Sequence, residues 1–298
     1  MISGLLLMDK PKELSSFDIV RKVKKVFKNS KVGHFGTLDP IATGLLIIAL
    51  GNATKFFDLF KGKAKTYVFE GKLGVRTDTF DITGTILKET EGVSLPAKEL
   101  KAAMRNFVGE IMQTPPMFSA KKHKGKPLYK LAREGKTVER EPVKVRIDSI
   151  ELLKYDSPYF SCEITTSAGT YIRSIVNDIG ELLGMGATLT ELRRTSIGEY
   201  RVEHALSLKE FKEYSTEDKI FNYILPLETI FPEFPKIILS PRGSMLAANG
   251  TLVPAEEVIK VEGVKSDYFK LFNDEGKFLC LAKPDLKKRI FRPVIVLK

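Results

Sequence analysis

Apolar positions along the chain fall into two rhythms, and each rhythm predicts an element. Residues 4–8 are a short continuous apolar run that stops at Asp9-Lys10-Pro11, the pattern of a buried strand. Ser15, with Asp18 three residues on, forms a capping box. Ile19, Val20, Val23, Val26 and Phe27 follow at helical spacing, with most lysines and Arg21 on the other face. The stretch from Ala42 to Leu50 reads as a second helix. Residues 66–74 and 82–88 read as strands joined by the polar run Arg76-Thr77-Asp78-Thr79-Phe80-Asp81. A third helix is predicted from about Pro96 to Val108, with proline in its first turn. Residues 143–153 and 159–167 are strand-like, and Phe160, Cys162, Ile164 and Thr166 alternate. Thr170 then reads as the cap of a helix carrying Ile172, Ile175, Val176, Ile179, Leu182 and Leu183, with Gly184 as its stop.

Strands and helices are interspersed without regular alternation, so the fold class is α+β with a mixed sheet. A shift comes at 203–235, with seven acids against three lysines, ending in Phe231-Pro232-Glu233-Phe234-Pro235. Short β-like runs follow, and 236–298 reads as a small β-rich domain with twelve Lys/Arg against seven acids. The predicted division is therefore 1–235 and 236–298.

Charge narrows the function. The chain of 298 residues carries a net charge of +11, which favours an acidic partner such as nucleic acid. Residues 115–146 break the strand-helix rhythm. From Lys121 to Arg146 there are ten Lys/Arg and three Glu in 26 residues, with Leu128, Tyr129 and Leu131 interleaved. This reads as an arm that grips a phosphate backbone. Cys162 and Cys280 are far apart, no CxxC occurs, and the three histidines are scattered, so no metal site is expected. Unpaired thiols fit a reducing cytoplasm. The N-terminal apolar run lacks a basic leader, and no run approaches membrane-spanning length. GxxxxGK[ST], HExxH and GxSxG are all missing.

The most informative segment is Gly33-His34-Phe35-Gly36-Thr37-Leu38-Asp39-Pro40. Asp39 stands alone between a glycine turn and a proline, and the nearest other acids are Asp18 and Asp58. A lone carboxylate on a stiff loop suits nucleophilic or acid/base work. Arg173, early in its helix, opposes the helix dipole and needs a compensating anion. Asp39 would supply that anion and be oriented by it. Tyr67, at a strand start, can be core or can stack on a base and offer its hydroxyl. His34 beside the turn can be structural or can fill the gap left by an extruded base.

These residues, together with Asp9-Lys10-Pro11, Lys65-Thr66-Tyr67, Gly74 with Arg76-Thr77-Asp78-Thr79, Gly169-Thr170-Tyr171-Ile172-Arg173 and Leu192-Arg193-Arg194, resemble the motifs of the TruB family of pseudouridine synthases, in family order over about 4–200. Phe35 stands where the family usually has threonine. The resemblance implies a mixed, largely antiparallel catalytic sheet of pseudouridine synthase type and a small C-terminal PUA-like β-barrel that binds RNA. It implies isomerisation of uridine to pseudouridine at tRNA position 55, in the T arm, with the insert as a thumb. By the same resemblance Asp39 is the nucleophile, Arg173 its ion-pair partner, and Tyr67 the residue that stacks on the base. His34, Tyr171 and Leu192 would line the pocket and Lys10 would support it. No cofactor or metal is implied, and the expected state is a cytoplasmic monomer. Two other readings stand beside this one: a guide-RNA-dependent synthase subunit, and a tRNA-binding or folding factor that needs no catalysis.

Overall fold

A computed structural model of the chain describes residues 2–264 and 266–297. Met1, Lys265 and Lys298, which the expected domain spans include, lie outside the described residues. The chain opens with β1 (Gly4–Lys10), α1 (Ser16–Val26), β2 (Val32–Phe35), β3 (Thr43–Leu50), α2 (Phe57–Lys61) and β4 (Lys65–Leu73). The short β5 (Val75–Thr77) and β6 (Ile86–Glu89) precede α3 (Ala97–Arg105) and β7 (Gly109–Gln113). The basic insert holds β8 (Lys122–His123), β9 (Lys126–Pro127) and α4 (Leu128–Arg133). Then come β10 (Val143–Asp156), β11 (Tyr159–Thr166), α5 (Ile172–Leu182), β12 (Ala187–Ile197), β13 (Tyr200–Arg201), β14 (Leu206–Ser207), α6 (Leu208–Thr216) and β15 (Ile224–Leu225). The chain finishes with β16 (Lys236–Leu239), α7 (Pro241–Ala248), β17 (Val253–Pro254), β18 (Val258–Glu262), β19 (Phe269–Phe272), β20 (Phe278–Asp285) and β21 (Ile290–Val296).

The main sheet has the order β14-β1-β3-β12-β4-β11-β10-β7, with β2 also on β3, β13 on β12 and β15 on β1. Pairing is antiparallel except β1 with β14 and β3 with β12. The mixed α+β class read from the sequence is thus the observed one. The second sheet, β17-β21-β20-β19-β16-β18, is built wholly from Lys236 and the residues that follow it. Among the described residues its outer strands β17 and β18 do not pair with each other, so it is a half-barrel rather than a closed one.

Local chemistry accounts for several elements. Both halves of the Ser15/Asp18 capping box are present and start α1. A second box, Ser207 with Glu210, starts α6 inside the acidic stretch 203–235. The predicted helix over 42–50 is instead the central strand β3. Leu45, Ile47 and Ala49 face one core, together with Leu5, Leu7 and the second-sheet residues Phe272, Phe278 and Leu281. Leu46, Ile48 and Leu50 face another, with Ile19, Val23 and Phe211 of α1 and α6. A strand buried on both faces shows no alternation, so its apolar run mimics a helix segment. Thr170 is not the cap of α5. Tyr171 occupies that position with no side-chain cap, and the Thr170 hydroxyl donates to Ser167 O at 3.0 Å. The strand predicted over 82–88 begins only at Ile86. β12, which joins the two halves of the main sheet by pairing with β3 and β4, gives no clear strand pattern in the sequence. A register irregularity between Leu189 and Glu191 breaks its alternation.

Candidate active site

Asp39 lies on the loop between β2 and β3, and three elements fix that loop. From α1, the Ser16 hydroxyl accepts from Leu38 N at 2.8 Å and donates to Leu38 O at 3.2 Å. From β12, the wholly buried Arg194 donates to Leu45 O at 2.8 Å, Gly36 O at 3.0 Å and Thr37 O at 3.4 Å. From the end of β1, Lys10 donates to Leu14 O at 2.7 Å, Pro11 O at 2.9 Å and Pro40 O at 3.4 Å. β3 and β12 approach so closely that a Cβ on Gly44, at φ +99°, would sit 2.2 Å from Arg194 O. Glycine is required there. The neighbouring Arg193 grips Asp9 with both guanidinium ends, at 2.7 and 3.0 Å.

The Asp39 carboxylate is 37% exposed, and its Oδ2 lies 3.0 Å from Nε of Arg173, which is 4% exposed. The Nε–H is not aimed at that oxygen, so the contact is an ion pair without an aligned hydrogen bond. Arg173 is held from its other end by Thr79 O and Phe118 O, both at 2.9 Å, and by Asp81 Oδ2 at 3.4 Å. A buried guanidinium bracketed by two carboxylates and two carbonyls is compensated and rigid. The backbone of Tyr171 is clamped by the buried Gln113. Tyr171 N donates to its Oε1 at 2.8 Å, and its Nε2 donates to Tyr171 O at 3.1 Å.

Asp39, Tyr67, Tyr171, Arg173 and Leu192 line one cleft of about 260 Å³. The two groups on which the sequence reading depended, Asp39 and Arg173, therefore meet in a concave site. Lys10 is wholly buried behind the loop and does not line the cleft. His34 is not among the residues that line the cleft either, although its neighbour Phe35 on β2 is. Burial and the Arg194 charge hold the His34 pKa below its ordinary value. Burial pushes Lys10 down to about 8, with Asp39 opposing, and Lys65 down to about 8, reinforced by Arg194. Burial also raises Tyr171.

Lys65, Arg194, Gln113 and Asp81 were not singled out from the sequence. Lys65 and Arg194 stood in quoted motifs, and Asp81 stood in the polar run after Gly74. Gln113 carried no signal. The departure at Phe35 has a structural account: its ring stacks on Phe60 at 4.3 Å, inside the protein. Among the described residues no group of three or more His, Cys, Asp or Glu is placed to hold a metal ion. Both cysteines are free and buried, with thiols pushed up to about 12 by burial. Chemically, the site offers a fixed carboxylate open to a ligand beside aromatic and aliphatic walls. That suits attack on, or proton transfer at, a flat heterocycle and its sugar.

Two family models match. "TruB family pseudouridylate synthase (N terminal domain)" covers residues 24–172, and "tRNA pseudouridylate synthase B C-terminal domain" covers 173–232. They meet inside α5, yet both segments contribute strands to the main sheet. Proteins named tRNA pseudouridine synthase B are similar over nearly the full length. That of Actinobacillus pleuropneumoniae is 41% identical, covering 95% of this chain and 92% of its own. That of Clostridium tetani is 40% identical, covering 95% and 96%. Among solved structures, a chain of a Cbf5-Nop10-Gar1 complex matches 99% of this chain and 84% of its own, with TM-score 0.73 and 26% identity. No described helix is long and apolar enough to cross a membrane.

Proposed function

Because the chain belongs to the TruB family of pseudouridine synthases, which are isomerases, we propose that it converts uridine to pseudouridine at position 55 in the T arm of tRNA, with Asp39 as nucleophile. The observation that carries the reading is the 3.0 Å pairing of Asp39 with buried Arg173 on the wall of a cleft. The glycosidic bond must break, the base must turn, and a carbon–carbon bond must form. Attack by the carboxylate at C1′, attack at C6, and assistance to a glycal all need it fixed against the nucleoside. Arg173 fixes it, and the loop clamps from Lys10, Ser16 and Arg194 keep the backbone in place. Tyr67 and Leu192 form walls against which the base rests, and Tyr171 closes the side next to Arg173. The target base of a folded tRNA elbow has to be flipped out to reach this cleft. Two buried free cysteines support action in a reducing compartment, the cytoplasm.

The test is tritium release from C5-labelled uridine in tRNA. Asp39→Asn is expected to abolish release while tRNA affinity stays within a few fold. Release by that variant would overturn the role of Asp39, and a parent protein that binds tRNA without releasing tritium would favour a binding or folding factor. The likeness to a protein solved with Nop10 and Gar1 supports a second reading, guide-dependent modification. Release from bare tRNA, with no guide or partner, decides for the first.

A further inference from the structure

Three lysines among the described residues are almost wholly buried: Lys10, Lys65 and Lys270. Two are well compensated. Lys10 donates to three carbonyls and feels the charges of Asp39 and Asp18. Lys270 donates to Glu228 O at 2.9 Å and Ile230 O at 3.3 Å, with the Glu233 and Glu228 charges nearby. Lys65 is different. It has one carbonyl, Lys63 O at 2.9 Å, and the charge that acts on it is the like charge of Arg194. Buried charges are stable when paired, and this one lacks its anion. Lys65 also lines the cleft that holds Asp39, two residues before Tyr67 on the inward face of β4. The Gly36 backbone of the Asp39 loop packs directly against it: a Cβ there would lie 3.4 Å from Lys65 Cε and 3.4 Å from Arg194 Nη1. The exposed Lys61 stands on the same wall.

We propose that Lys65, with Lys61 at the rim, is a preformed seat for one backbone phosphate of the RNA, the phosphate flanking the uridine that Asp39 engages. The phosphate supplies the anion that the folded protein withholds, so the interaction forms in a site already dehydrated and costs little reorganisation. RNA as the source of the phosphate rests on the proposed function.

The experiment measures binding of a T-arm hairpin across a salt series, for the parent, Lys65→Met and Lys65→Arg. It also uses hairpins carrying a neutral methylphosphonate at either phosphate flanking the target. Lys65→Met is expected to weaken binding about tenfold at low salt and to lower the slope of log Kd against log salt by about 0.7. Lys65→Arg keeps the slope. One of the two methylphosphonates weakens the parent by a similar factor and leaves Lys65→Met unaffected. Lys65→Met also melts at a higher temperature than the parent, because it removes an uncompensated buried charge, whereas loss of a merely structural lysine lowers the melting point. An unchanged slope, or methylphosphonate effects that add in full to that of Lys65→Met, overturns the proposal. The methylphosphonate comparison on the parent stands even without the variants. If Lys65 governs RNA binding but the parent forms no pseudouridine, the phosphate seat stands and the proposed reaction falls.

Discussion

At the scale of single residues, the candidate site combines one open carboxylate with several buried cations, and the cations should show in the pH dependence of stability. Lys10 and Lys65 release their protons at about 8 in the folded protein, against 10.5 for an ordinary lysine. Between those values the unfolded chain binds more protons than the folded one, so stability rises with pH; below about 8 the full cost of the buried charges is carried. Each group contributes at most about 1.4 kcal/mol per pH unit. Cys162 and Cys280 act in the opposite sense. Their thiols ionise at 9.0 when free and at about 12 when buried, so above 9 the folded state holds the extra protons and loses stability. The urea midpoint is therefore expected to stay level from pH 7 to about 8, climb from about 8 to 9, level off while the two lysines and two cysteines offset each other, and fall above about 10.5. Lys10→Met and Lys65→Met should each flatten the climb. A midpoint that declines steadily from pH 7 would contradict the assigned burial of these lysines.

At the scale of elements, the basic insert matters most. Its framework is small: the β8–β9 hairpin, α4, and the buried Leu128 that anchors them. Arg140 ties its return to Pro115 O at 3.1 Å, and Phe118 O at its base accepts from Arg173. The insert thus begins at the arginine that orients Asp39. Within it, Glu134 engages Lys126 and Lys136, while Lys121, Lys122, Lys124 and Lys130 stay exposed. Deletion of 121–140 removes eight basic and two acidic residues. It is expected to weaken tRNA binding and to lower the salt slope by roughly two units. An unchanged slope would mean that the insert makes no phosphate contact.

At the scale of the whole molecule, the two sheets are joined by a run of aromatic rings. Phe35 stacks on Phe60 at 4.3 Å, Phe60 meets Phe231 at 4.9 Å, Phe231 meets Phe234 at 5.0 Å, and Phe234 meets Tyr268 at 5.2 Å. Phe231 holds φ +55°, a region that bulky residues avoid, and Lys63 sits over its ring at 4.7 Å. The path runs from the residue four before Asp39 to the C-terminal sheet. Phe231→Ala is expected to cost about 3–5 kcal/mol, read as a lowered urea midpoint in one cooperative transition. A loss below 1 kcal/mol would show that the ring does not couple the two sheets.

The sequence by itself determined the pieces whose signal is local. The Ser15/Asp18 box, the alternation of β11, the stop at Gly184 and the lone acid on a glycine-proline loop all depend on neighbours within a few positions. A motif in one loop, matched to a known family, was enough to nominate Asp39. Other features depend on what the chain packs against. Both faces of β3 are covered, which erased its alternation and made it read as a helix. β12 carries a bulge, and its two arginines became clamps only when β3 lay beside it and β1 one strand further on. Gln113 meets Tyr171 from 58 residues away, and Lys65 became distinctive only once its missing anion could be counted. Burial and long-range pairing are properties of the assembled fold, and for these residues no local pattern carries them.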